Sequence, residues 1–231
     1  MVSNGADIID IGGESTRPKA KPVSLKEELR RIVPVVKLLA KTVMVPVSID
    51  TYKPEVALAA LDNGALMVND ISGLRDAAMA KVVSRYKAGV VIMHMKGNPR
   101  SMQKRAEYAS VMNEVNGFLS NAIDRAVDCG IKREKIIIDP GIGFGKTLEH
   151  NLEVLKNLSE LKVLGLPIMV GLSRKSFIGK ILNKEPNDRI TGTIASGLLA
   201  AKSGANILRV HDVWDMKEAL KILKAVEYGW N

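Results

Sequence analysis

Short apolar runs alternate with longer stretches of helical periodicity along the whole chain. Each run is rich in Val, Ile or Leu and ends in polar or charged residues. The seven runs span residues 7–11, 45–49, 66–68, 90–93, 136–138, 168–172 and 207–210. Buried parallel strands have this composition because helices cover both faces of the sheet. The alternation therefore predicts an α/β fold with a parallel sheet.

Polar side chains follow every one of these predicted strands. An open doubly wound sheet gathers its ligand at one switch point, whereas a barrel collects functional groups at the carboxyl ends of all its strands. The sequence therefore favours an enzyme with a TIM-type (β/α)8 barrel. Only seven strands are visible, and residues 1–6 are typical of the last turn of a helix that enters the first of them. We expect one strand and most of one helix to be missing at the amino end.

Helix signals separate the strands. Residues 102–128 predict one long helix, and Pro54 suits the first turn of a helix that ends before Gly64. Asp215 with Glu218 predicts the start of a last helix over residues 216–227. No stretch has the composition of a linker, so we predict a single domain over residues 1–231.

The composition narrows the class of protein. At 231 residues and 46% apolar content, the chain can bury one substantial core. Its net charge is +9, but the lysines are dispersed and aromatic residues make up only 4%, which excludes nucleic acid as a main partner. Attraction of a small anionic substrate is one alternative, and a solvated lysine-rich surface is the simpler interpretation for most of these side chains. The single cysteine, Cys129, fits a reducing compartment, and no run approaches the roughly 20 apolar residues of a membrane span. We expect a cytoplasmic protein with no membrane partner.

The segment DPGIGFGK, residues 139–146, follows the fifth predicted strand. A carboxylate leaves the strand, and three glycines then let the backbone approach a ligand closely. The spacing before Lys146 differs from that of a P-loop. A tight turn in which Asp139 caps the next helix is the simpler interpretation, but the many other polar strand ends favour a functional one.

Other strand ends offer groups for an anion and for a flat ring. Thr16 and Arg17 lie in a loop after the first strand, where an arginine fork suits phosphate or carboxylate. Asp50 and Asn69 together match a planar heterocycle with amino and lactam edges, although either one alone would more often cap a strand end.

The last two strand ends are basic. Ser173 and Lys175 stand at the start of a helix, where free backbone N–H groups favour anions. Arg209 and His211 alternate with the strand period, so both side chains face the same way and form an anion site. His94 has no comparable partner in sequence, and both a structural and a functional role stay open for it. No His/Cys cluster predicts a zinc site.

Together these motifs closely resemble the dihydropteroate synthases of the pterin-binding (β/α)8 family. They run from one end of the chain to the other in the family's order: DIIDIGGESTRP (7–18), SIDTYKPEVA (48–57), VNDISG (68–73), IIIDPGIGFGK (136–146), GLSRKSFIG (171–179) and LRVHDV (208–213). The 171–179 segment favours this family over the pterin-binding corrinoid methyltransferases, which share the barrel.

The resemblance implies condensation of 6-hydroxymethyl-7,8-dihydropterin diphosphate with 4-aminobenzoate in folate biosynthesis, with release of diphosphate. The positions that hydrogen-bond the pterin correspond to Asp50, Asn69, Asp139 and Lys175. Those that line the pterin faces correspond to Met93 and Phe144, and those of the diphosphate site to Arg209 and His211. The loop region near the aminobenzoate corresponds to Thr16, Arg17 and Ser173. The catalytic residues implied in this way are Asp139, Lys175, Arg209 and His211.

The family also uses magnesium and is commonly homodimeric, and we expect both here. Its magnesium-site Asn belongs to the first strand and loop that we expect to be missing, so no metal ligand is predicted within this chain. Two alternatives to the synthase stay open. One is a pterin-dependent methyltransferase domain that works with a corrinoid protein, and the other is a non-catalytic, incomplete barrel that binds pterin.

Overall fold

The computed structural model describes residues 1–16, 20–97 and 106–229. Within them lie seven strands, one at each apolar run: β1 (Ile9–Gly12), β2 (Val47–Asp50), β3 (Met67–Asp70), β4 (Gly89–Met93), β5 (Ile136–Asp139), β6 (Met169–Gly171) and β7 (Ile207–Arg209). Strands β1 to β5 form one parallel sheet in chain order, and β6 pairs in parallel with β7.

A parallel bridge between Ile138 and Ile168 joins the two sets of strands, since Ile168 directly precedes β6. All seven strands therefore follow one another in chain order, as the predicted (β/α) barrel requires. Within the described ranges, no strand lies between β7 and β1. The eighth strand of the barrel stays a prediction.

Helices separate consecutive strands: α1 (Leu25–Thr42), α2 (Pro54–Asp62), α3 (Ala77–Tyr86), α4 (Val111–Asp128), α5 (Leu148–Lys156), α6 (Ser176–Leu182), α7 (Ile190–Lys202) and α8 (Val213–Tyr228). Two of them, α6 and α7, lie between β6 and β7. None of the helices in these ranges has the length and apolar content needed to cross a membrane. The helix expected from Pro54 is confirmed.

Two helices begin elsewhere than the sequence predicts. Helix α4 starts at Val111, because residues 106–110 form an extended link in which the Tyr108 hydroxyl donates to the Gly145 carbonyl at 2.8 Å. The rest of the expected first turn, 102–105, lies outside the described residues. Helix α8 starts at Val213, two residues before Asp215, so the cap assigned to Asp215 is wrong.

The hydrophobic core lies between the strands and the helices around them. All four residues of β2 are buried, and Ile49, Val68, Val90 and Ile138 are completely so. Burying a side chain of this size contributes about 1.5–3 kcal/mol. Because the strands are parallel, the polar residues at their carboxyl ends lie at one edge of the fold.

Candidate active site

Arg209 connects the last strand to the first two. From the end of β7, its Nε lies 2.6 Å from Oδ2 of Asp10 on β1, and its Nη2 lies 2.8 Å from Oδ2 of Asp50 on β2. Asn69 on β3 donates from Nδ2 to the same Asp10 oxygen at 3.0 Å. Four strand ends thus converge on one polar cluster, to which we refer as the carboxylate cluster (Asp10, Asp50, Asn69 and Arg209).

Asp10, Asp50 and Asn69 of the carboxylate cluster each bury one further side-chain oxygen, Oδ1. Among the residues that the structure describes, Oδ1 of Asp10, Asp50 and Asn69 has no hydrogen-bond partner. A buried acceptor without a partner costs about 1–3 kcal/mol. A bound ligand that presents several N–H groups would remove this cost, so the cluster matches the donor-rich edge of a heterocycle such as an amino-substituted lactam.

Two buried carboxyl groups in this region have raised pKa values. Burial, followed by the neighbouring Asp10 carboxylate, raises the pKa of Asp50, and the Arg209 charge opposes the rise. Burial also raises the pKa of Asp139 at the end of β5, with Lys175 as the main opposing influence. The Asp139 carboxylate is held in place by the Gly141 backbone N–H, which donates to Oδ1 at 2.6 Å. Perturbed carboxyl groups of this kind are typical of functional sites.

Lys175 and Phe144 form a second group in this region, outside the carboxylate cluster. Lys175 is the N-cap residue of α6, its Nζ donates to the Ile142 carbonyl, and it lies 4.7 Å from the centre of the Phe144 ring. Burial lowers the pKa of Lys175 to about 8, against the opposing charge of Asp139. Met93, at the end of β4, and Phe144 belong to one small apolar cluster. The site therefore combines an apolar face with a lysine donor, which suits a flat, polar-edged ring.

His211 and Ser173 form a pair in the loops that follow β7 and β6. The two side chains meet at 2.8 Å between His211 Nδ1 and Ser173 Oγ, and the His211 backbone N–H donates to the same hydroxyl at 3.2 Å. His211 is exposed, so it can reach a ligand in solution.

The structure describes only part of the loop after β1. Thr16 is half-buried there, and within the described ranges no hydrogen bond joins it to the other predicted site residues. Arg17 lies outside the described residues. The predicted strand-end residues thus include the carboxylate cluster, the group around Lys175 and Phe144, and the Ser173–His211 pair.

Three residues of this region were missed as site residues by the sequence analysis. Asp10 was visible only as a polar strand end. Lys146, fully enclosed, donates from Nζ to Nδ1 of His94 at 2.8 Å and to the carbonyls of Gly141 and Phe144 at 3.1 and 3.3 Å. Burial, followed by the Lys146 charge, lowers the pKa of His94 to about 2, so its ring is neutral. The sequence signal for Lys146 was its place at the end of a Gly-rich loop that lacks P-loop spacing.

The residues that the structure describes form no metal site of their own. In the described parts of the chain, no group of three or more His, Cys, Asp or Glu side chains could hold a metal ion. The acidic residues of the carboxylate cluster are instead paired with Arg209. The described residues therefore do not fit a magnesium ion of their own.

Comparison with known proteins agrees with this geometry. Residues 1–211 match the family model described as pterin binding enzyme. The dihydropteroate synthase of Synechocystis sp. is 49% identical over 228 residues, which cover 98% of this chain and 79% of that protein. The chain belongs to the pterin-binding enzyme family, in its dihydropteroate synthase branch.

Solved structures of the same family share the fold. A dihydropteroate synthase from Clostridium difficile, crystallised in the presence of pteroic acid, superimposes with a TM-score of 0.93 at 48% identity, over 98% of this chain and 84% of that one. The enzyme from Thermus thermophilus in complex with 4-aminobenzoate gives a TM-score of 0.92 at 45% identity, over 97% and 86% of the two chains. These likenesses confirm the barrel-type fold and the assignment to an enzyme family.

Proposed function

We propose that this chain condenses 6-hydroxymethyl-7,8-dihydropterin diphosphate with 4-aminobenzoate to give dihydropteroate and diphosphate. The observation that carries the proposal is the set of three buried oxygens of the carboxylate cluster that have no partner in the described residues. The amino and lactam N–H groups of a pterin supply the donors that they need. Lys175 faces them as a donor for the ring's acceptor atoms, with Phe144 against the ring face.

The reaction requires more electrostatic stabilisation than proton transfer. As the C–O bond to diphosphate breaks, its electron pair leaves with the diphosphate and the pterin takes up positive charge. Asp139 favours that charge, while Arg209 and His211 stabilise the departing anion. The aminobenzoate nitrogen then forms the new C–N bond at the exposed methylene carbon and releases a proton to solvent. Holding the two substrates in line supplies much of the remaining acceleration.

The proposal is tested by turnover of the purified chain. With the pterin diphosphate, 4-aminobenzoate and magnesium, we expect dihydropteroate and diphosphate in equal amounts, and neither product without the aminobenzoate. Methyl transfer to a corrinoid protein, with no use of 4-aminobenzoate, would identify the methyltransferase alternative. Pterin binding without diphosphate release would identify the non-catalytic alternative.

Two further expectations concern conditions and location. Magnesium is proposed as a requirement of the reaction on the family resemblance alone, since the described residues lack a cluster that could hold it. A cytoplasmic location is proposed because the single cysteine, Cys129, is a free thiol, which fits a reducing compartment.

A homodimer is supported by apolar side chains on the outer helices. Ile222 and Val226, one turn apart on α8, are 68% and 79% exposed, and Leu199 on the neighbouring α7 is 66% exposed. Exposed apolar side chains on neighbouring helices are typical of subunit interfaces. We expect Ile222→Glu to give a monomer by sedimentation. Val163→Glu, at an 81% exposed position on neither of these two helices, is the matched control and should stay dimeric. A dimer that survives Ile222→Glu would contradict the assignment of this face.

A further inference from the structure

A second group of charged side chains lies next to the carboxyl end of β2, outside the carboxylate cluster. Lys53, which precedes α2, places its Nζ 2.5 Å from Oε2 of Glu14 in the loop after β1. The same ammonium pairs with Oε2 of Glu28, a residue of α1 that is 1% exposed. A third bond runs from Nζ to the Val23 carbonyl at 2.8 Å. One lysine therefore ties the loop after β1 to the start of α1 and to its own loop after β2.

Both carboxylate oxygens of Glu28 have partners of their own. Its Oε1 accepts a hydrogen bond from the Thr51 hydroxyl at 2.9 Å, and its Oε2 has Lys53. A single buried cation needs a single carboxylate for neutrality, and enclosing a second carboxylate carries its own desolvation cost. Glu28 alone can thus neutralise the Lys53 ammonium.

Glu14 is nevertheless held firmly. Only 10% of its side chain is exposed, and its Oε1 accepts a hydrogen bond from the Tyr52 hydroxyl at 3.1 Å. Burial alone would lower the pKa of Lys53, but the hydrogen bonds to Glu14 and Glu28 raise it above its usual value, so the ammonium stays charged. Two residues after Glu14 the chain reaches Thr16, which has no hydrogen bond to the other site residues in the described ranges. The anchoring of Glu14 therefore fixes the chain two residues before Thr16.

We propose that Glu14 and Lys53 form a loop clasp whose role is to position Thr16 for the second substrate, 4-aminobenzoate. Both are positioning residues, since neither belongs to the carboxylate cluster that faces the pterin. The inference rests on the proposed function and adds to it a specific division of labour: the strand ends bind the pterin, and the loop clasp sets the affinity for the arylamine.

The test is steady-state kinetics of Glu14→Ala, which removes the loop's side of the clasp and leaves the Lys53–Glu28 pair intact. We expect the KM for 4-aminobenzoate to rise about tenfold, with the KM for the pterin diphosphate and the thermal midpoint nearly unchanged. Glu14→Gln should restore part of the affinity, because its amide oxygen can still accept from Lys53. Glu134→Ala, which breaks the exposed Lys132–Glu134 contact at 3.8 Å, is the matched control and should behave as the unsubstituted chain.

Several results would overturn the loop clasp. Equal increases in both KM values together with a lower thermal midpoint would make Glu14 merely structural. Kinetics of Glu14→Ala equal to those of the unsubstituted chain would refute the inference alone. If Glu14→Ala does not fold, Glu14→Gln must show the same selective increase in smaller measure, and the absence of that increase would count against the clasp. Failure of the unsubstituted chain to make dihydropteroate would overturn the proposed function as well, so the two failures are distinguishable.

Discussion

Replacing Gly141 by alanine tests how tightly the loop after β5 is packed. Gly141 has a φ of +70°, and a Cβ atom at this position would lie 1.9 Å from the carbonyl oxygen of His94. That oxygen belongs to backbone whose N–H donates to the Asp139 carbonyl at 2.9 Å. Neither Gly141 nor the His94 backbone can move without disturbing the β4–β5 edge of the site.

The expected cost has two parts. A residue with a Cβ atom in the left-handed region costs about 1–2 kcal/mol, and forcing an extra methyl group into a packed interior costs about 1–3 kcal/mol. Their sum is about 2–5 kcal/mol, less than the roughly 5–15 kcal/mol of a typical folded domain. Gly141→Ala should therefore fold with reduced stability. It should also lose pterin affinity, because a shifted Gly141 breaks its 2.6 Å bond to Asp139.

Urea unfolding measures the effect directly. We expect a lower midpoint with an unchanged dependence on urea concentration, as for a pure loss of stability. Gly117→Ala is the matched control. Gly117 lies within α4, and a Cβ there would meet nothing within 4 Å, so alanine should stabilise the helix by about 0.5–1 kcal/mol. A Gly141→Ala variant within about 0.5 kcal/mol of the unsubstituted chain would refute the packing argument.

Two other substitutions address the charges of the site. Arg209→Met leaves Asp10 and Asp50 without their cation, so kcat/KM should fall at least about 100-fold. The control Lys217→Met breaks the exposed Lys217–Asp7 pair at 2.7 Å and should keep full activity. Equal losses of activity in the two variants would contradict the assignment. Burial lowers the pKa of Lys146 from 10.5 to about 7, so the unfolded chain binds more protons between these values and stability should rise with pH across that window, by up to about 1.4 kcal/mol per pH unit. Lys146→Met should remove this slope in urea unfolding measured from pH 7 to pH 10, and an identical slope in the variant would refute the lowered pKa.

The parts of the fold that the sequence predicted are those with local causes. Each of the seven strands overlaps its apolar run, because a buried strand needs continuous Val, Ile and Leu. Pro54 stands at the first residue of α2 for an equally local reason. The start of α4 was wrong because a distant acceptor, the Gly145 carbonyl, holds Tyr108 in an extended link.

The candidate site divides in the same way. Asp50, Asn69 and Asp139 were recognisable because polar residues at the ends of parallel strands meet at one edge of the fold. The role of Asp10 depends on Arg209, which lies 199 residues away along the chain, and no local pattern contains that contact. The same holds for Glu14, whose partner Lys53 is 39 residues away.

Pterin binding by a matched pair of asparagine variants tests most directly whether the partnerless oxygens recognise the substrate. Asn69 and Asn116 each bury an Oδ1 atom that has no hydrogen-bond partner in the described residues, but only Asn69 lies in the carboxylate cluster. By calorimetric titration with 6-hydroxymethylpterin, we predict that Asn69→Ala weakens binding about tenfold or more, while Asn116→Ala binds as tightly as the unsubstituted chain. Unchanged affinity in Asn69→Ala, or equal losses in both variants, would contradict the pterin site.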